Sequence, residues 1–302
     1  MAGTVFIFPG QGSQYVGMAR AAWDAYPEVR EIFRVSSKSA GKDIAALSFD
    51  GPSELLNESY NAQICVFVCN EAFRVAAAKM GFTPDVVSGY SLGYYNALVA
   101  SGVLAFEDAL GAVVEGAGIT LSSGIKSGDM AAVIGLDLTE VEAACASASG
   151  AGFVWPSNIN AARQILISGE TAAVDLAIAI SLRKGALKAY ILGIGAPYHS
   201  PLMIGASERL AEYLGGLEFA APRLPVLLYT KARYVETADD ARDTLGRAIA
   251  ERVLWKDSIQ KLVNDGYGHF VEAGPGSSLS RMVRWVTREV RTTSIDEILK
   301  GD

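Results

Sequence analysis

The sequence predicts an α/β protein with a parallel main sheet and a smaller unit inserted into it. Apolar runs of strand length alternate along the chain with stretches of helical periodicity, which favours parallel strands with helices on both faces of the sheet. Residues 126–197 instead follow the order strand, helix, polar Asn-rich loop, strand, helix, strand. That order is typical of a ferredoxin-like small subdomain, and it leaves residues 1–125 and 198–302 for a hydrolase-like large subdomain.

Each predicted element depends on a local pattern. Short apolar runs bounded by turn-forming or polar residues predict strands at 5–8, 86–88, 130–135, 164–168, 189–191, 226–229 and 270–272. Apolar residues at helical spacing predict helices over 63–80 and 202–214. A further helix is expected over 281–291, where Met282, Val283, Val286 and Val290 form an apolar face.

Composition indicates one large globular unit, with or without a smaller one attached. The chain has 302 residues, of which 50% are hydrophobic and 20% charged, enough to bury a large core. No run approaches the roughly 18 apolar residues of a membrane span, and a strand begins near residue 5 with no basic leader, so we expect a cytoplasmic protein. The formal net charge of −7 argues against nucleic acid as a partner.

The cysteines indicate neither a disulfide framework nor a metal site. Cys65, Cys69 and Cys145 form no even set, and no Cys/His cluster has metal-ligand spacing, so no metal is expected. Cys65 and Cys69 lie four residues apart in an apolar helical stretch, where they are expected to belong to the core.

The stretch Gly89-Tyr90-Ser91-Leu92-Gly93 has the layout of a nucleophile elbow. It follows the apolar pair Val86-Val87 and precedes a helix-like segment, so that a strand would run through a tight turn into a helix with Ser91 at the turn. Ser91 is therefore a candidate nucleophile. The alternative is a plain strand-to-helix turn in a Gly-rich chain.

A serine nucleophile needs a base, and the chain has only two histidines. His269 precedes a probable strand, where a packed or edge histidine is the natural interpretation. His199 lies in a loop bounded by Pro197 and Pro201, where a structural role is less natural. His199 is therefore the candidate base.

These segments resemble the malonyl-CoA:acyl-carrier-protein transacylase family and the acyltransferase domains of polyketide synthases. The resemblance extends from near residue 5 to near residue 285. It is carried by Gly10-Gln11-Gly12-Ser13-Gln14, the Ser91 elbow, Met130-Ala131-Ala132-Val133-Ile134-Gly135, Asn158-Ile159-Asn160, Ile167-Ser168-Gly169, His199-Ser200-Pro201-Leu202-Met203 and Val271-Glu272-Ala273-Gly274-Pro275-Gly276.

The resemblance implies a chemistry for each residue. Ser91 would attack an acyl thioester, and His199 would take its proton and later activate the incoming thiol or water. The backbone N–H groups of Gln11 and Leu92 would form the oxyanion hole. In this family a main-chain carbonyl orients the histidine. No cofactor is implied, because the acyl group travels on the phosphopantetheine of acyl carrier protein or CoA.

The departures from the family concern the substrate. Members that use malonyl groups carry an arginine that pairs with the malonyl carboxylate, and we place Ala117 at that position. Between Arg74 and Lys126 the only basic residue is Lys79. The sequence thus predicts a non-malonyl acyl pocket, lined by Tyr90, Ala117, Leu121, Asn160, Ala196 and Tyr198. The alternative is drift in a degenerate enzyme.

Basic residues near the C-terminus suggest a partner surface. Arg281, Arg284, Arg288 and Arg291 recur at intervals of three, four and three, which would place them on one helical face. Acyl carrier proteins present acidic recognition helices, so this stripe is a candidate carrier-protein site. The alternatives are a solvated helix face and docking near Arg163, Arg183 and Lys184.

The sequence therefore predicts an acyltransferase that moves a non-malonyl acyl group between thioesters, in polyketide or antibiotic biosynthesis. Two other functions stay open. One is an acyl-carrier-protein acyl hydrolase on the same scaffold, which would differ in the access of water to the Ser91 ester. The other is a catalytically silent carrier-binding module, which the presence of Ser91, His199 and Gln11 argues against.

Overall fold

The computed structural model describes residues 3–122 and 128–301. The proposed start of the small subdomain at residue 126 lies outside them. The strands of the described residues are β1 Gly3–Phe8, β2 Val86–Gly89, β3 Asp129–Ile134, β4 Val154–Ala161, β5 Gln164–Gly169, β6 Lys188–Ile191, β7 Val226–Leu228, β8 Arg233–Tyr234, β9 Tyr267–Glu272 and β10 Arg291–Ser294.

Helices cover much of the remaining chain. The α-helices are α1 Arg20–Ala25, α2 Pro27–Ala40, α3 Ile44–Phe49, α4 Ser53–Asn57, α5 Ser59–Lys79, α6 Gly93–Ala100, α7 Phe106–Ser122, α8 Leu138–Ala148, α9 Thr171–Arg183, α10 Ile204–Leu214, α11 Ala238–Arg247, α12 Trp255–Asn264, α13 Ser278–Val286 and α14 Ile295–Lys300. Short 3₁₀ turns occupy Ser149–Ala151, Pro201–Met203 and Ala248–Ala250. None of the helices in the described ranges is long and apolar enough to cross a membrane.

The larger sheet has the order β10-β9-β1-β2-β7-β8, and its strands are parallel except for β8. Phe8 at the end of β1 is in register with Gly89 at the end of β2, and Ile7 with Glu272 at the end of β9. The loops that follow these three strands therefore meet at one edge of the sheet, where open α/β sheets bind their ligands.

The smaller sheet is antiparallel, with the order β4-β5-β3-β6. Helices α8 and α9 pack on it around a separate apolar core that includes Val133, Ile167 and Val174. The α/β prediction of a hydrolase-like parallel sheet with an inserted ferredoxin-like unit is confirmed by this arrangement.

The Asn-rich segment is a strand, so its prediction as a loop was wrong. Residues Val154–Ala161 form β4 at the edge of the small sheet. Its backbone also binds the large subdomain: Ile159 N–H donates to the Val253 carbonyl at 2.8 Å, and Val253 N–H to the Ser157 carbonyl at 2.8 Å. The polar residues of β4 are buried against other protein groups, so the alternation typical of a strand does not appear.

The C-terminal helix is shorter than predicted, and the expected face of four arginines does not exist. Helix α13 ends at Val286, and Thr287 is extended, with φ −149° and ψ 150°. Only Arg281 and Arg284 lie on the helix. Arg291 begins β10, which pairs with β9. The sequence shows no turn signal after Val286. Strand β10 is a polar edge strand, which hydrophobic periodicity does not detect.

Candidate active site

Ser91 occupies a tight turn between β2 and α6. Its backbone has φ 54°, in the left-handed region that non-glycine residues rarely adopt. A Cβ atom at Gly93 would overlap the Phe8 carbonyl, and one at Gly89 would overlap the backbone of Gly93. Glycine is therefore required on both sides, and the serine is held at the start of a helix, as the sequence predicts.

His199 lies directly opposite Ser91. The serine Oγ is 2.7 Å from His199 Nε2. His199 Nδ1 is 3.0 Å from the carbonyl oxygens of both Ala248 and Glu251. Carbonyls only accept hydrogen bonds, so Nδ1 carries the hydrogen and Nε2 is the acceptor for the serine hydroxyl. Main-chain groups thus orient the imidazole of the candidate base, as the family resemblance implies.

The backbone of His199 is fixed as firmly as its ring. Its N–H donates to the Ile249 carbonyl at 2.7 Å, and its carbonyl accepts from Trp155 Nε1 at 2.9 Å. Its φ of 59° again lies in the left-handed region. The side chain is only 2% exposed, and this burial lowers the pKa of His199 from 6.5 to about 4. The imidazole is therefore neutral, the form a base requires.

The loop after β1 lies against the nucleophile turn. The Tyr90 N–H donates to the Phe8 carbonyl at 2.9 Å, and a Cβ atom at Gly10 would be 2.7 Å from the Tyr90 carbonyl oxygen. Gln11, in this loop, and Leu92, at the start of α6, line the same space as Ser91. This placement is consistent with the expected oxyanion hole of their two N–H groups.

Two spaces meet at Ser91. One, the inner cavity, has a volume of about 50 Å³ and is bounded by α7, α10 and α11. The other, the outer cleft, has a volume of about 280 Å³ and lies between the two sheets. Ser91, Gln11 and Tyr198 line both spaces. No Lys, Arg, Asp or Glu is among the described residues that line either one.

The predicted pocket residues are only partly brought together. Tyr90 and Asn160 line the outer cleft, and Tyr198 lines both spaces. Leu121 is 67% exposed near the end of α7 and lines neither space, so its assignment was wrong. Ala196 is buried but lines neither space.

Ala117 was expected to line the pocket, and the structure places its neighbour Gly116 there instead. Ala117 is buried but is not part of the cavity wall. The residues of α7 that line the inner cavity are Val113, Gly116 and Thr120, which recur at helical spacing. A side chain at position 116 would therefore project into the inner cavity, toward Leu210 and Tyr95.

Sequence reasoning missed several polar residues of the inner cavity, among them Gln63 and Tyr95. Gln63 begins the predicted helix 63–80, and Tyr95 lies one helical turn after Ser91, so the elbow itself could have indicated Tyr95. The Tyr95 hydroxyl has no hydrogen-bond partner among the described residues, and burial raises the pKa of Tyr95. Tyr95 thus offers a neutral hydroxyl inside an otherwise largely apolar cavity.

Tyr90 ties the nucleophile turn to the small subdomain. Its hydroxyl donates to Asn160 Oδ1 at 2.9 Å and accepts from Asn158 Nδ2 at 2.7 Å. Its ring packs edge-on against Trp255, with centroids 5.4 Å apart. Burial raises the pKa of Tyr90 to about 12, so the hydroxyl stays protonated. This residue fixes one wall of the outer cleft relative to Ser91.

Comparison with known proteins identifies relatives of the whole chain. The acyl transferase domain family matches residues 5–299. The chain is 35% identical over 295 residues to the malonyl CoA-acyl carrier protein transacylase of Escherichia coli K12, covering 97% of this chain and 95% of that protein. It is 32% identical over 300 residues to the protein of the same name from Bacillus subtilis, covering 98% and 94%.

Solved structures of similar proteins also match the whole chain. An acyl-carrier-protein S-malonyltransferase from Burkholderia pseudomallei superposes with a TM-score of 0.93 at 37% identity, covering 99% of both chains. A malonyl-transacylase solved in complex with a type II PKS acyl-carrier protein superposes with a TM-score of 0.94 at 30% identity, covering 100% of both chains.

The hydrogen bond between Ser91 and His199 predicts selective labelling by a serine-directed phosphonate. Ser91→Ala should take up no label, and His199→Ala should label about a thousandfold more slowly with its fold intact, because the base is lost. Labelling rates from intact mass, with circular dichroism as the control for folding, test this. Labelling of the Ser91→Ala protein would exclude Ser91 as the nucleophile.

The low pKa of His199 predicts the pH dependence of the same labelling. An ordinary histidine would lose its function as a base below about pH 6.5. With a folded-state pKa of about 4, His199 stays neutral at lower pH, so the labelling rate should stay level from pH 8 to about pH 5 and fall only near pH 4. A half-maximal rate near pH 6.5 would contradict the burial argument.

The Tyr90 network predicts a loss of stability on removal of one oxygen. Tyr90→Phe keeps the ring packing but leaves Asn158 Nδ2 and Asn160 Oδ1 without this partner, which should cost about 1–3 kcal/mol of unfolding free energy. Denaturant unfolding measures this, with the exposed Tyr190→Phe as the matched control. Equal stability of the two variants would show that the network does not hold the cleft together.

Proposed function

This chain belongs to the acyl transferase domain family, and from that premise we propose that it moves a neutral, non-malonyl acyl group between thioesters through an ester on Ser91. One of the thiols belongs to an acyl carrier protein. The pathway we propose is polyketide biosynthesis, which draws support from the similarity to the malonyl-transacylase bound to a type II PKS carrier protein.

The observation that carries this proposal is the absence of charge around the nucleophile. The described residues that line the inner cavity and the outer cleft include no Lys, Arg, Asp or Glu. Taking a carboxylate out of water without a partner costs on the order of several kcal/mol. Malonyl and methylmalonyl groups would therefore bind poorly, whereas neutral acyl groups would carry no such cost.

In the first half-reaction the Ser91 hydroxyl attacks the thioester carbonyl carbon while His199 Nε2 takes its proton. The oxyanion that forms is stabilised by the N–H groups of Gln11 and Leu92, each of which contributes about 3 kcal/mol. The intermediate then expels the thiolate, which receives the proton from His199. In the second half-reaction the same atoms act in reverse on an incoming thiol, which restores Ser91 and His199.

An arginine introduced at position 116 should change the preference between charged and neutral acyl groups. Gly116→Arg should raise the rate of Ser91 acylation by malonyl thioesters relative to that by acetyl thioesters, because the guanidinium would supply a counter-ion to the malonyl carboxylate while reducing the space for both groups. A Cβ atom at Gly116 has only Leu210 Cδ1, at 3.6 Å, and the Tyr95 hydroxyl oxygen, at 3.8 Å, within 4 Å. Wild-type protein should acylate from malonyl thioester at least tenfold more slowly than from acetyl thioester. Single-turnover acylation followed by intact mass measures both rates.

Gly118→Arg is the matched control, because Gly118 is on the same helix, has open space at Cβ and lines neither space. It should leave the malonyl-to-acetyl ratio unchanged. A wild-type preference for malonyl over every neutral thioester would overturn the proposal.

The carrier protein is proposed to dock beside α13. Leu279 and Met282 of this helix line the outer cleft, while Arg281 and Arg284 on the same helix are exposed. Their guanidinium groups donate to hydroxyls, at Ser277 and Thr292 respectively, and neither forms an ion pair with another described residue. Two unneutralised positive charges therefore lie at the edge of the cleft, where an acidic partner would meet them.

This surface predicts a defect specific to the carrier-bound substrate. The double change Arg281→Glu and Arg284→Glu should raise KM for acyl carrier protein severalfold and weaken its salt dependence, at about 1 kcal/mol per charge. Acylation from an N-acetylcysteamine thioester should stay unchanged.

The matched control changes Arg288 and Arg291, exposed residues beyond the end of α13, in the same way. Equal effects of the two pairs would mean that net charge, and not the face of α13, controls docking. Equal loss with carrier and small thioester would indicate damage to the fold.

A further inference from the structure

We infer that the acyl group this enzyme carries is short, with one or two carbon atoms beyond the ester carbonyl carbon, as in an acetyl or propionyl group. The inference rests on the proposed function, and it adds the size of the substrate to its neutral charge. The inner cavity sets that size, because it is the space behind Ser91 that receives the acyl chain.

The inner cavity, and not the outer cleft, is the acyl site because the two spaces differ in their access to solvent. The outer cleft is lined by residues of both sheets and reaches solvent at Tyr190, which is 49% exposed. A phosphopantetheine arm must enter from solvent, so it takes this side. The inner cavity is the more enclosed of the two, because the buried side chains of Leu210, Tyr229 and Leu245 bound it on the side away from the cleft.

The volume of the inner cavity limits its occupant. A cavity of about 150 Å³ accommodates benzene, which has six heavy atoms. At about 50 Å³, the inner cavity has a third of that space and accommodates about two heavy atoms without displacement of its walls. A hexanoyl or octanoyl chain would need the walls to move.

The wall at Tyr198 is fixed by hydrogen bonds. Gln63 Nε2 donates to the Tyr198 hydroxyl at 3.1 Å and to the Ser59 carbonyl at 3.2 Å. Ser59 and Thr120 are also hydrogen-bonded to the Tyr198 hydroxyl. Tyr198 thus joins α5 and α7 between the two spaces, and moving it would break these polar contacts.

The wall on α7 determines how much space remains. Val113 and Gly116 lie one helical turn apart and both line the inner cavity. Gly116 contributes no side chain, and a methyl group there would project toward Leu210 and Tyr95. Val113 is buried, and its removal would leave a larger cavity. The two positions therefore allow the cavity to be reduced or enlarged from the same helix.

The test is an acylation series on the full protein with N-acetylcysteamine thioesters of acetyl, propionyl, butyryl, hexanoyl and octanoyl groups, with malonyl as a separate arm. Wild-type rates should be similar for acetyl and propionyl and fall at least tenfold from propionyl to hexanoyl, with butyryl between them. Gly116→Ala should lower the ratio of propionyl to acetyl rates, and Val113→Ala should raise the ratio of butyryl to acetyl rates. Gly118→Ala, also on α7 but away from both spaces, is the control and should leave both ratios unchanged.

The wild-type rates distinguish the short-chain inference from the neutral-acyl proposal. Equal rates from acetyl to octanoyl in wild-type protein would overturn the short-chain inference and leave the neutral-acyl proposal standing. A preference for malonyl would overturn the proposed function itself. If Val113→Ala does not fold, as melting would show, Gly116→Ala still decides, because unchanged ratios there would mean that the acyl chain does not occupy the inner cavity.

Discussion

The site depends on one contact, the 2.7 Å approach of Ser91 Oγ to His199 Nε2. The two residues are 108 positions apart in the chain, and each holds its side chain in place with a left-handed backbone. Their conformations are fixed by neighbours: the glycines that allow the elbow, and the carbonyls of Ala248 and Glu251 that receive the imidazole N–H. Because those carbonyls are neutral, the base is oriented without a buried carboxylate, and desolvation keeps it unprotonated.

Charged side chains are also absent from the described residues that line the inner cavity and the outer cleft. Both spaces at Ser91 are lined by neutral groups among the described residues, and their polar groups are hydroxyls and amides, such as those of Tyr95, Gln63 and Asn160. An uncharged site can stabilise an oxyanion through fixed N–H donors, but it offers no counter-ion to a substrate carboxylate. Relatives named for malonyl transfer share the fold and about a third of the residues, so the substrate difference that we propose would arise from side chains at the site and not from the fold.

Much of this could be predicted from the sequence, and the failures have physical reasons. Ser91 and His199 were identifiable because a glycine-bounded elbow and a histidine between prolines are local signals. Strand β4 was missed because its polar residues face protein and not water, and β10 because a short polar edge strand carries no periodicity. Ala117 was expected to line the pocket, but Gly116 does, because one residue along a helix turns the side-chain direction by about 100°.

The central claim is that Ser91 carries a short neutral acyl group, and a competition experiment tests it most directly. The protein would be mixed with equal concentrations of malonyl, acetyl, propionyl and hexanoyl acyl-carrier-protein thioesters, quenched in acid within one turnover, and weighed intact. The mass of the wild-type protein should increase by that of an acetyl or propionyl group, and the mass of the Ser91→Ala protein should not change. A malonyl increment as the main product would contradict it.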